Sequence, residues 1–309
     1  MNLSLPFKLL TIQLLSFFKS VSENDPILIF SDPRGGGTWL TEMLSTIDKT
    51  AIIWEPLNIR HVREFRNLKF GWRQYIPEDA EWEEAKKIFS KMLIGKLINE
   101  WTCLKTGVND YWNANQFIIK ICRGHMLLPW LVRQFNFSLL PIYLVRHPFA
   151  VVASQLKHKG WHHEFSPYKV PSTPYNQLYS EHEKYLESLS SKEERLTAIW
   201  CITNSVPLNH KNNNSRWITL YYENLALDTD QEMNRIFARW QKTKPDDINR
   251  RYIIPSSTTS DSTSFVDMEK HLRSWERTLT ESQIHTMSRV LEYFNITTYC
   301  SKSPMPQMT

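Results

Sequence analysis

Short apolar runs alternate along the chain with longer segments in which apolar residues recur every three or four positions. The short runs are rich in β-branched residues, which predicts buried strands. They cover residues 27–30, 51–54, 116–121, 139–145 and 217–222. The longer segments predict helices; the first begins at residue 38, and others cover 78–100, 126–135, 149–158, 181–208, 231–241 and 281–294. This recurrence of strand, turn and helix predicts an α/β fold, a single domain with a central parallel sheet and helices on both faces.

The composition is that of a globular protein, with 41% hydrophobic and 22% charged residues among 309. Without an internal repeat or linker, we expect one domain over 23–300 and a short tail over 301–309. The net charge of +5 is compatible with an anionic ligand but too small and scattered for a nucleic-acid-binding protein. Four cysteines without a C-x-x-C pair favour reduced thiols in a cytoplasmic protein without a metal site.

Residues 1–22 form an N-terminal segment with apolar residues at heptad-like spacing, which predicts an amphipathic helix. Its apolar run is shorter than the roughly 20 residues that span a bilayer, and no small-residue cleavage site comes after it. We expect this helix to dock on the domain, and a peripheral membrane contact through residues 1–20 is the alternative.

A glycine turn interrupts the chain between the first strand and the first helix. Pro33, Arg34 and Gly35-Gly36-Gly37 separate the strand from Thr38. A turn of this kind presents free backbone amides at the positive end of a helix dipole, where anions bind, and Arg34 adds a cation. A tight turn without a ligand explains the glycines equally well. Thr38 and Trp39 occupy the positions where a Walker A loop has its Lys-Ser/Thr pair, and a dinucleotide fingerprint fails because Leu40 is not small.

Polar residues also come after other predicted strands, at the sheet edge where open α/β sheets bind ligands. Glu55 follows strand 51–54 and precedes a proline, and Lys120 lies near the end of strand 116–121. Arg146 follows strand 139–145, and Ser154 comes eight residues later in the next predicted helix. Glu55, fixed by the proline after it, is therefore expected to point into the crevice where such sheets bind ligands.

These motifs together resemble the sulfotransferases that use 3′-phosphoadenosine 5′-phosphosulfate (PAPS). Residues 33–40 are similar to the family's 5′-phosphosulfate loop, usually written P-[KR]-S-G-T-T-W-L, and residues 144–154 are similar to its 3′-phosphate motif. Segments 54–57, 222–225 and 275–283 resemble further family segments, the first of them from the carbohydrate-sulfating branch. The resemblance covers about residues 25–295 and is closer to the bacterial or carbohydrate-type branch than to the cytosolic aryl branch.

The resemblance implies a P-loop-like turn and a sulfonate transfer from PAPS, without a metal, to a hydroxyl or amine of a small metabolite or carbohydrate. The residues that it assigns to the donor are Arg34, Gly35, Gly36, Gly37, Thr38, Trp39, Arg146, Ser154 and Tyr222. Gly35 and Gly37 depart from the family pattern, which has hydroxyl residues there, and two fewer O–H donors weaken the expected binding of PAPS.

The transfer needs cations at the leaving phosphate and a base for the acceptor proton. The resemblance places Arg34 at the sulfonate. Lys120 is the candidate proton donor, although a structural lysine at a strand end is the alternative. Glu55 is the first candidate for the base and His125 the second.

Two segments are expected to shape the acceptor pocket, the basic and aromatic stretch 60–73 and the long loop 159–180. The nearby histidines, His158, His162 and His163, are interpreted as part of a substrate lid rather than a metal site. An ATP-using P-loop-type kinase and a nucleotide-binding relative without catalytic activity are the alternative functions.

Overall fold

The structure is a computed structural model that describes residues 4–158, 160, 166–251, 254, 256–258 and 267–307. The predicted loop 159–180 is thus only partly described, and His162 and His163 lie outside the described residues. Residues 255–264 form a stretch rich in Ser and Thr, and most of it also lies outside the described residues.

The described part of the chain contains one sheet of five parallel strands. They are β1 (Ile27–Ser31), β2 (Thr50–Trp54), β3 (Gln116–Cys122), β4 (Ile142–Val145) and β5 (Ile218–Tyr221). Their order in the sheet is β2-β3-β1-β4-β5, and every neighbouring pair is parallel. All five strands coincide with the apolar runs of the sequence, so the predicted α/β fold with a parallel sheet is confirmed.

Helices connect the strands and flank the sheet. In chain order they are α1 (Leu5–Phe18), α2 (Gly37–Leu44), α3 (Arg63–Asn67), α4 (Glu83–Leu93), α5 (Val108–Asn113), α6 (Leu128–Gln134), α7 (Pro148–Lys157), α8 (Gln177–Ser180), α9 (Glu183–Ser188), α10 (Lys192–Leu208), α11 (Tyr222–Leu227), α12 (Thr229–Trp240), α13 (Asp247–Arg251), α14 (Met268–Leu272) and α15 (Glu281–Tyr293). A short 3₁₀ helix, His125–Leu127, precedes α6.

Two helices are shorter than the sequence predicts. The helix expected over 78–100 is α4 alone, because Gly95 takes a left-handed φ of 71° just after its end. The helix expected over 181–208 is divided into α9 and α10. Ser191 begins α10 with a capping box in which its side chain and that of Glu194 satisfy each other's backbone amides, an arrangement that fixes a helix start.

Each face of the sheet is covered by its own hydrophobic core. Leu28, Phe30, Ile119 and Tyr143 point into the larger core, which includes Phe149 of α7. Alternate strand residues, such as Ile29, Ile118 and Leu144, point into the second core, which includes Trp39 and Leu40 of α2. The helices after β1 and β4 therefore lie on opposite faces. Since β1 and β4 are neighbours, a crevice opens between their carboxyl ends, as is typical of ligand sites in such sheets.

The N-terminal helix α1 lies against the domain. Ile12 is fully buried in the larger core, and Lys8 Nζ donates a hydrogen bond to the backbone oxygen of Cys103 over 2.9 Å. The outward face of α1 is apolar and exposed. None of the helices in the described part of the chain combines the length and apolar composition that crossing a membrane requires.

Candidate active site

A cavity of about 1280 Å³ lies at the carboxyl edge of the sheet. Residues that come after each of the five strands line it, among them Arg34, Glu55, Arg123, Arg146 and Tyr222. Pockets for single small ligands usually measure about 300–1,000 Å³. The cavity is thus large enough for two ligands side by side, which is what a transfer between a donor and an acceptor requires.

The cavity wall is strongly positive. In the described part of the chain, ten Lys and Arg side chains line the cavity against three Asp and Glu, a formal excess of seven positive charges. The whole chain carries a net charge of only +5, so positive charge is concentrated here. A wall of this kind attracts anionic ligands and strengthens their binding.

The glycine turn forms the centre of this wall, and its geometry requires Gly36. Gly36 is the N-cap of α2 and has a φ of 91°. A Cβ atom there would lie 2.4 Å from the Tyr222 ring, so the turn can pass Tyr222 only because Gly36 has no side chain. No side chain caps the start of α2. The amides of its first turn are therefore left without a side-chain acceptor at a place where Gly37 and Thr38 line the cavity, as in an anion site. The amide of Gly35, by contrast, donates to the backbone oxygen of Asp32 over 3.0 Å.

Ser31, at the end of β1, places its hydroxyl directly against Gly37 of the glycine turn. A Cβ atom on Gly37 would lie 2.1 Å from Ser31 Oγ, so Ser31 occupies the space that a side chain at position 37 would need. Its hydroxyl is buried, borders the cavity and has no hydrogen-bond partner among the described residues. The sequence gives one clue to the position of Ser31 at the cavity, since it is the polar residue that ends an otherwise apolar strand.

The structure joins the two sequence motifs directly. Arg34 Nε donates a hydrogen bond to Ser154 Oγ over 3.0 Å, and Arg146 donates from Nη1 to the backbone oxygen of Arg34 over 3.2 Å. Arg34 has a left-handed φ of 69°. Burial, and next the nearby Arg146, lowers the pKa of Arg34. Two cations held this close together repel each other, and an anion bound between them relieves that repulsion.

Arg146 is held over an aromatic ring at the cavity wall. Its guanidinium carbon lies 4.2 Å from the centre of the Tyr222 ring, and this cation–π contact fixes the orientation of the arginine. Its Nε is buried without a hydrogen-bond partner among the described residues. Trp39 packs edge-on against Tyr222, with ring centres 6.0 Å apart. Both rings line the cavity beside Arg146, so this region offers apolar surface next to a cation.

A buried network holds Arg146 in place through its neighbour, His147. Glu223 accepts hydrogen bonds from the His147 amide and from the Tyr299 hydroxyl, each over 2.8 Å. The His147 ring accepts from the Phe149 amide at Nδ1, so neutral His147 carries its proton on Nε2, 3.1 Å from the backbone oxygen of Cys300. Burial lowers the pKa of His147 to about 4. His147 is therefore a neutral structural residue at physiological pH.

Glu55 and Lys120 meet at the edge of the cavity. The backbone register pairs Trp54 of β2 with Lys120 of β3, so the residue after Trp54 lies beside the lysine. Lys120 Nζ donates a hydrogen bond to Glu55 Oε1 in a salt bridge, and Nζ also lies 4.1 Å from the centre of the Trp54 ring. Both partners are largely buried, and both line the cavity. Glu55 Oε2 has no hydrogen-bond partner among the described residues, so this oxygen remains available to accept a proton.

His125, the other candidate for the base, lies behind the cavity wall. It is 1% exposed and is not among the described residues that line the cavity. Its ring stacks on Tyr143, with centres 5.6 Å apart, and its Nε2 lies 4.0 Å from Asp32 Oδ2. Burial lowers the pKa of His125. In this position the imidazole does not reach a ligand in the cavity.

The wall of the same cavity also contains residues from the basic segment 60–73 and one arginine that was not predicted from the sequence. Trp72 and Arg73 line the cavity, as expected for this segment. Arg123, directly after β3, lines the cavity as well. Its position just after a predicted strand is the feature of the sequence from which it could have been identified. His158 and Lys157, at the end of α7, line the cavity as well. Among the described residues, no group of three or more His, Cys, Asp or Glu side chains could hold a metal ion.

Most of the chain matches a known protein family. A family model described as sulfotransferase domain matches residues 24–293. No curated protein matches the chain significantly. Similar solved structures include the sulfotransferase domain from the Synechococcus PCC 7002 olefin synthase, at 16% identity and a TM-score of 0.46 over 90% of this chain and 98% of that chain.

Two further solved structures show about the same degree of similarity to this chain. The sulfotransferase domain from the curacin biosynthetic pathway has 15% identity and a TM-score of 0.45, over 89% of this chain and 99% of that chain. Mouse sulfotransferase SULT7A1 complexed with PAP has 14% identity and a TM-score of 0.46, over 93% of this chain and 89% of that chain. The family model spans most of the chain, including the glycine turn and residues 144–154, and the chain therefore belongs to the sulfotransferase domain family.

Proposed function

We propose that this sulfotransferase uses PAPS as its donor and transfers the sulfonate group to a hydroxyl or amine of a small-molecule or carbohydrate acceptor. The observation that carries the proposal is the contact between the two motifs at one cavity, with Arg34 bonded to Ser154 and Arg146 bonded to the backbone of Arg34. A donor with phosphate groups at both its 3′ and 5′ positions needs two adjoining anion sites. The glycine turn and the Arg146 region supply them.

The residues present fit such a donor. The amides at the start of α2 and the buried hydroxyl of Ser31 are suited to the 5′-phosphate. The unpartnered Nε of Arg146 and the hydroxyl of Ser154 are suited to the 3′-phosphate. Trp39 and Tyr222 offer apolar surface for the adenine. Ser31 compensates in part for the hydroxyl missing at Gly37.

In the proposed mechanism, bound PAPS supplies an electrophilic sulfur and a phosphate leaving group. A new S–O bond forms to the acceptor oxygen while the S–O bond to the phosphate breaks, and adenosine 3′,5′-bisphosphate (PAP) leaves. Arg34 and Lys120 place positive charge where the leaving phosphate gains negative charge. Glu55 accepts the proton of the acceptor hydroxyl on its unpartnered oxygen. The ion pair with Lys120 holds the Glu55 carboxylate in place at the cavity edge before the acceptor arrives.

The test of this function is an incubation with PAPS and a panel of alcohols, amines and sugars, monitored by mass spectrometry for sulfonated products and for PAP. We expect at least one acceptor to be sulfonated in proportion to the PAP released. Consumption of ATP in place of PAPS would instead support a kinase. Binding of PAP without transfer to any member of the panel would support the non-catalytic alternative.

Glu55→Gln should lower kcat by about 10²–10⁴-fold, because the amide cannot take a proton. The Kd of PAP should stay within about twofold of the wild-type value, since the amide oxygen still accepts a hydrogen bond from Lys120. His125→Gln is the matched control, with its fold checked by thermal denaturation. If His125→Gln loses transfer while Glu55→Gln keeps it, the assignment of the base is reversed.

We also propose that the outward face of α1 rests on a lipid bilayer surface. Eleven large hydrophobic side chains are exposed among the described residues, and six of them are on α1. The exposed Trp112 lies next to this surface, since Lys19 donates a hydrogen bond to its backbone oxygen. The helix has no acidic residue, so nothing on it repels anionic lipid headgroups. Exposed aromatic residues combined with lysines are typical of interfacial helices.

Sedimentation with vesicles of phosphatidylcholine and phosphatidylserine tests this contact. Phe17→Asp should weaken vesicle binding at least about tenfold, because Phe17 is 79% exposed and would bury its ring in the lipid. Gln13→Asp adds the same charge at another exposed position of α1 and should bind nearly as well as the wild type. Equal binding by Phe17→Asp and the wild type, or no binding by the wild type, would rule out the lipid contact.

A further inference from the structure

The acceptor half of the cavity contains three arginines around one tryptophan. The guanidinium carbons of Arg60 and Arg123 lie 5.7 Å and 4.7 Å from the centre of the Trp72 ring, and Arg73 comes directly after Trp72. All four side chains line the cavity. Contacts with the ring hold the two cations in defined positions. This cluster is separate from Arg34 and Arg146, which serve the donor in the proposed function.

Arg73 is placed for a ligand rather than for structural pairing. Its Nε is buried and has no hydrogen-bond partner among the described residues. No acidic side chain in the described part of the chain forms an ion pair with it. Burial, and next the neighbouring charge of Arg123, lowers the pKa of Arg73. A cation that is partly desolvated and repelled by another cation is costly unless an anion compensates it.

None of the carboxylates of the described cavity wall forms an ion pair with Arg73, and the charge of Asp32 offsets only part of the cost of its burial. Asp32, whose charge acts on Arg73, accepts a hydrogen bond from Asn204 Nδ2 over 2.8 Å. Glu55 is paired with Lys120. Asp267, the third acidic residue of the described cavity wall, lies 3.3 Å from Lys270. An anion from outside the chain is therefore the natural compensating partner for Arg73.

Backbone strain points to the same conclusion. Arg73 and Arg123 both have left-handed backbone conformations, with φ of 57° and 65°. Non-glycine residues in this region cost free energy and persist mainly where the surrounding structure enforces them, often at functional sites. The Tyr179 hydroxyl donates to the backbone oxygen of Arg73 over 3.0 Å, and the amide of Arg123 donates to the backbone oxygen of Ser31 over 3.1 Å. These two bonds fix both strained residues at the cavity wall.

We propose that the acceptor of this sulfotransferase already carries an anionic group, a carboxylate, sulfate or phosphate, which Arg73 and Arg123 bind while Trp72 contacts the adjoining ring. The inference rests on the proposed function, because it takes the other half of the cavity to be the donor site. It narrows the acceptor from any hydroxyl compound to anionic ones. Arginine suits this task, since its planar fork binds carboxylate and phosphate oxygens in pairs.

Binding of unreactive probes tests the proposal without knowledge of the natural acceptor. Isothermal titration with the donor half filled by PAP compares phenyl β-D-glucoside, phenyl β-D-glucuronide and phenyl β-D-glucoside 6-phosphate. We expect both anionic probes to bind at least about tenfold more tightly than the neutral one, as a charged hydrogen-bonded contact requires. The ratio of the Kd values of the two anionic probes distinguishes a preference for carboxylate from a preference for phosphate.

Arg73→Gln and Arg123→Gln should each bring the anionic probes close to the affinity of the neutral probe and leave the Kd of PAP unchanged. Arg63→Gln, at an exposed arginine of the same basic segment, is the matched control and should retain the preference. Arg73→Lys, which keeps the charge, should retain part of it and guards against a folding defect in Arg73→Gln.

Three results would overturn the inference: equal affinity of the wild type for charged and neutral probes, an unchanged preference in the two glutamine variants, or a loss of PAP affinity in those variants. A loss of PAP affinity would show that the two arginines bind the donor. A failure of the proposed function can be told apart from a failure of this inference, because in that case the wild-type protein would not bind PAP. The preference for anionic probes can then still be measured without PAP.

Discussion

Arg34→Ala is expected to reduce sulfonate transfer by about 10³-fold, among the largest catalytic effects of a single change in this chain. Arg34 is the cation in the centre of the glycine turn, and removal of a cation or donor aimed at the developing charge typically costs about 10²–10³-fold or more in kcat. Transfer from PAPS, measured in single-turnover experiments at saturating donor, separates this effect from weaker binding.

Arg34→Lys is the informative companion variant. A lysine keeps the positive charge but lacks the planar fork, so we expect it to recover much of the activity that alanine loses. Arg63→Ala, at an exposed arginine away from the cavity wall, controls for the loss of one charge. Transfer by Arg34→Ala within about threefold of the wild-type rate would remove Arg34 from the mechanism.

Arg146→Gln is expected to weaken PAP binding by about 10- to 100-fold, the largest effect on donor affinity. Arg146 presents a buried Nε without a partner among the described residues, and a charged hydrogen bond to phosphate is worth about 1.5–3 kcal/mol. The affinity for 5′-AMP, which lacks the 3′-phosphate, should change much less. Calorimetric titration of both nucleotides measures the two effects in one variant.

The comparison with 5′-AMP guards against an indirect effect, because Arg146 also bonds the backbone of Arg34 and packs on Tyr222. If the variant distorts the glycine turn, both nucleotides lose affinity together. Ser154→Ala removes one neutral hydrogen-bonding group and should cost PAP roughly 2- to 10-fold. An equal loss for PAP and 5′-AMP in Arg146→Gln would contradict a role in 3′-phosphate recognition.

The strands could be predicted well from the sequence because each is a short apolar run, and most of them are buried on both faces. Their pattern is local, and so is the left-handed turn at Gly36, although the close approach of Tyr222 to this glycine could not be predicted from the sequence. Helix boundaries were predicted less well. The end of α4 depends on the left-handed Gly95 and the break before α10 on the cap at Ser191, and neither disturbs the apolar spacing that predicts a helix.

Contacts between distant segments could not be predicted from local patterns. The pairing of Glu55 with Lys120 depends on β2 lying beside β3 in the sheet, although both residues were candidates from the sequence. The arrangement of Arg73 and Arg123 likewise brings together a surface segment and a strand end that are about fifty residues apart. The spacing of these residues along the chain does not predict that they form a cluster.

The burial of His125 shows the same limit. In the sequence it follows Lys120 closely and has the right chemistry for a base. In the structure it begins a short 3₁₀ helix that turns its ring into the core against Tyr143. Glu55, fixed at the edge of the cavity, is therefore the residue that we propose as the base.

The central claim is that the glycine turn and the Arg146 region together bind a nucleotide with both 3′ and 5′ phosphates. Its most direct test is calorimetric titration of the wild-type protein with PAP, 5′-AMP and ATP under the same buffer and salt. We predict that PAP binds at least about tenfold more tightly than either competitor, in line with the charged contact from Arg146 and the neutral hydrogen bond from Ser154 to the 3′-phosphate. Tighter binding of ATP, or equal binding of PAP and 5′-AMP, would contradict the account.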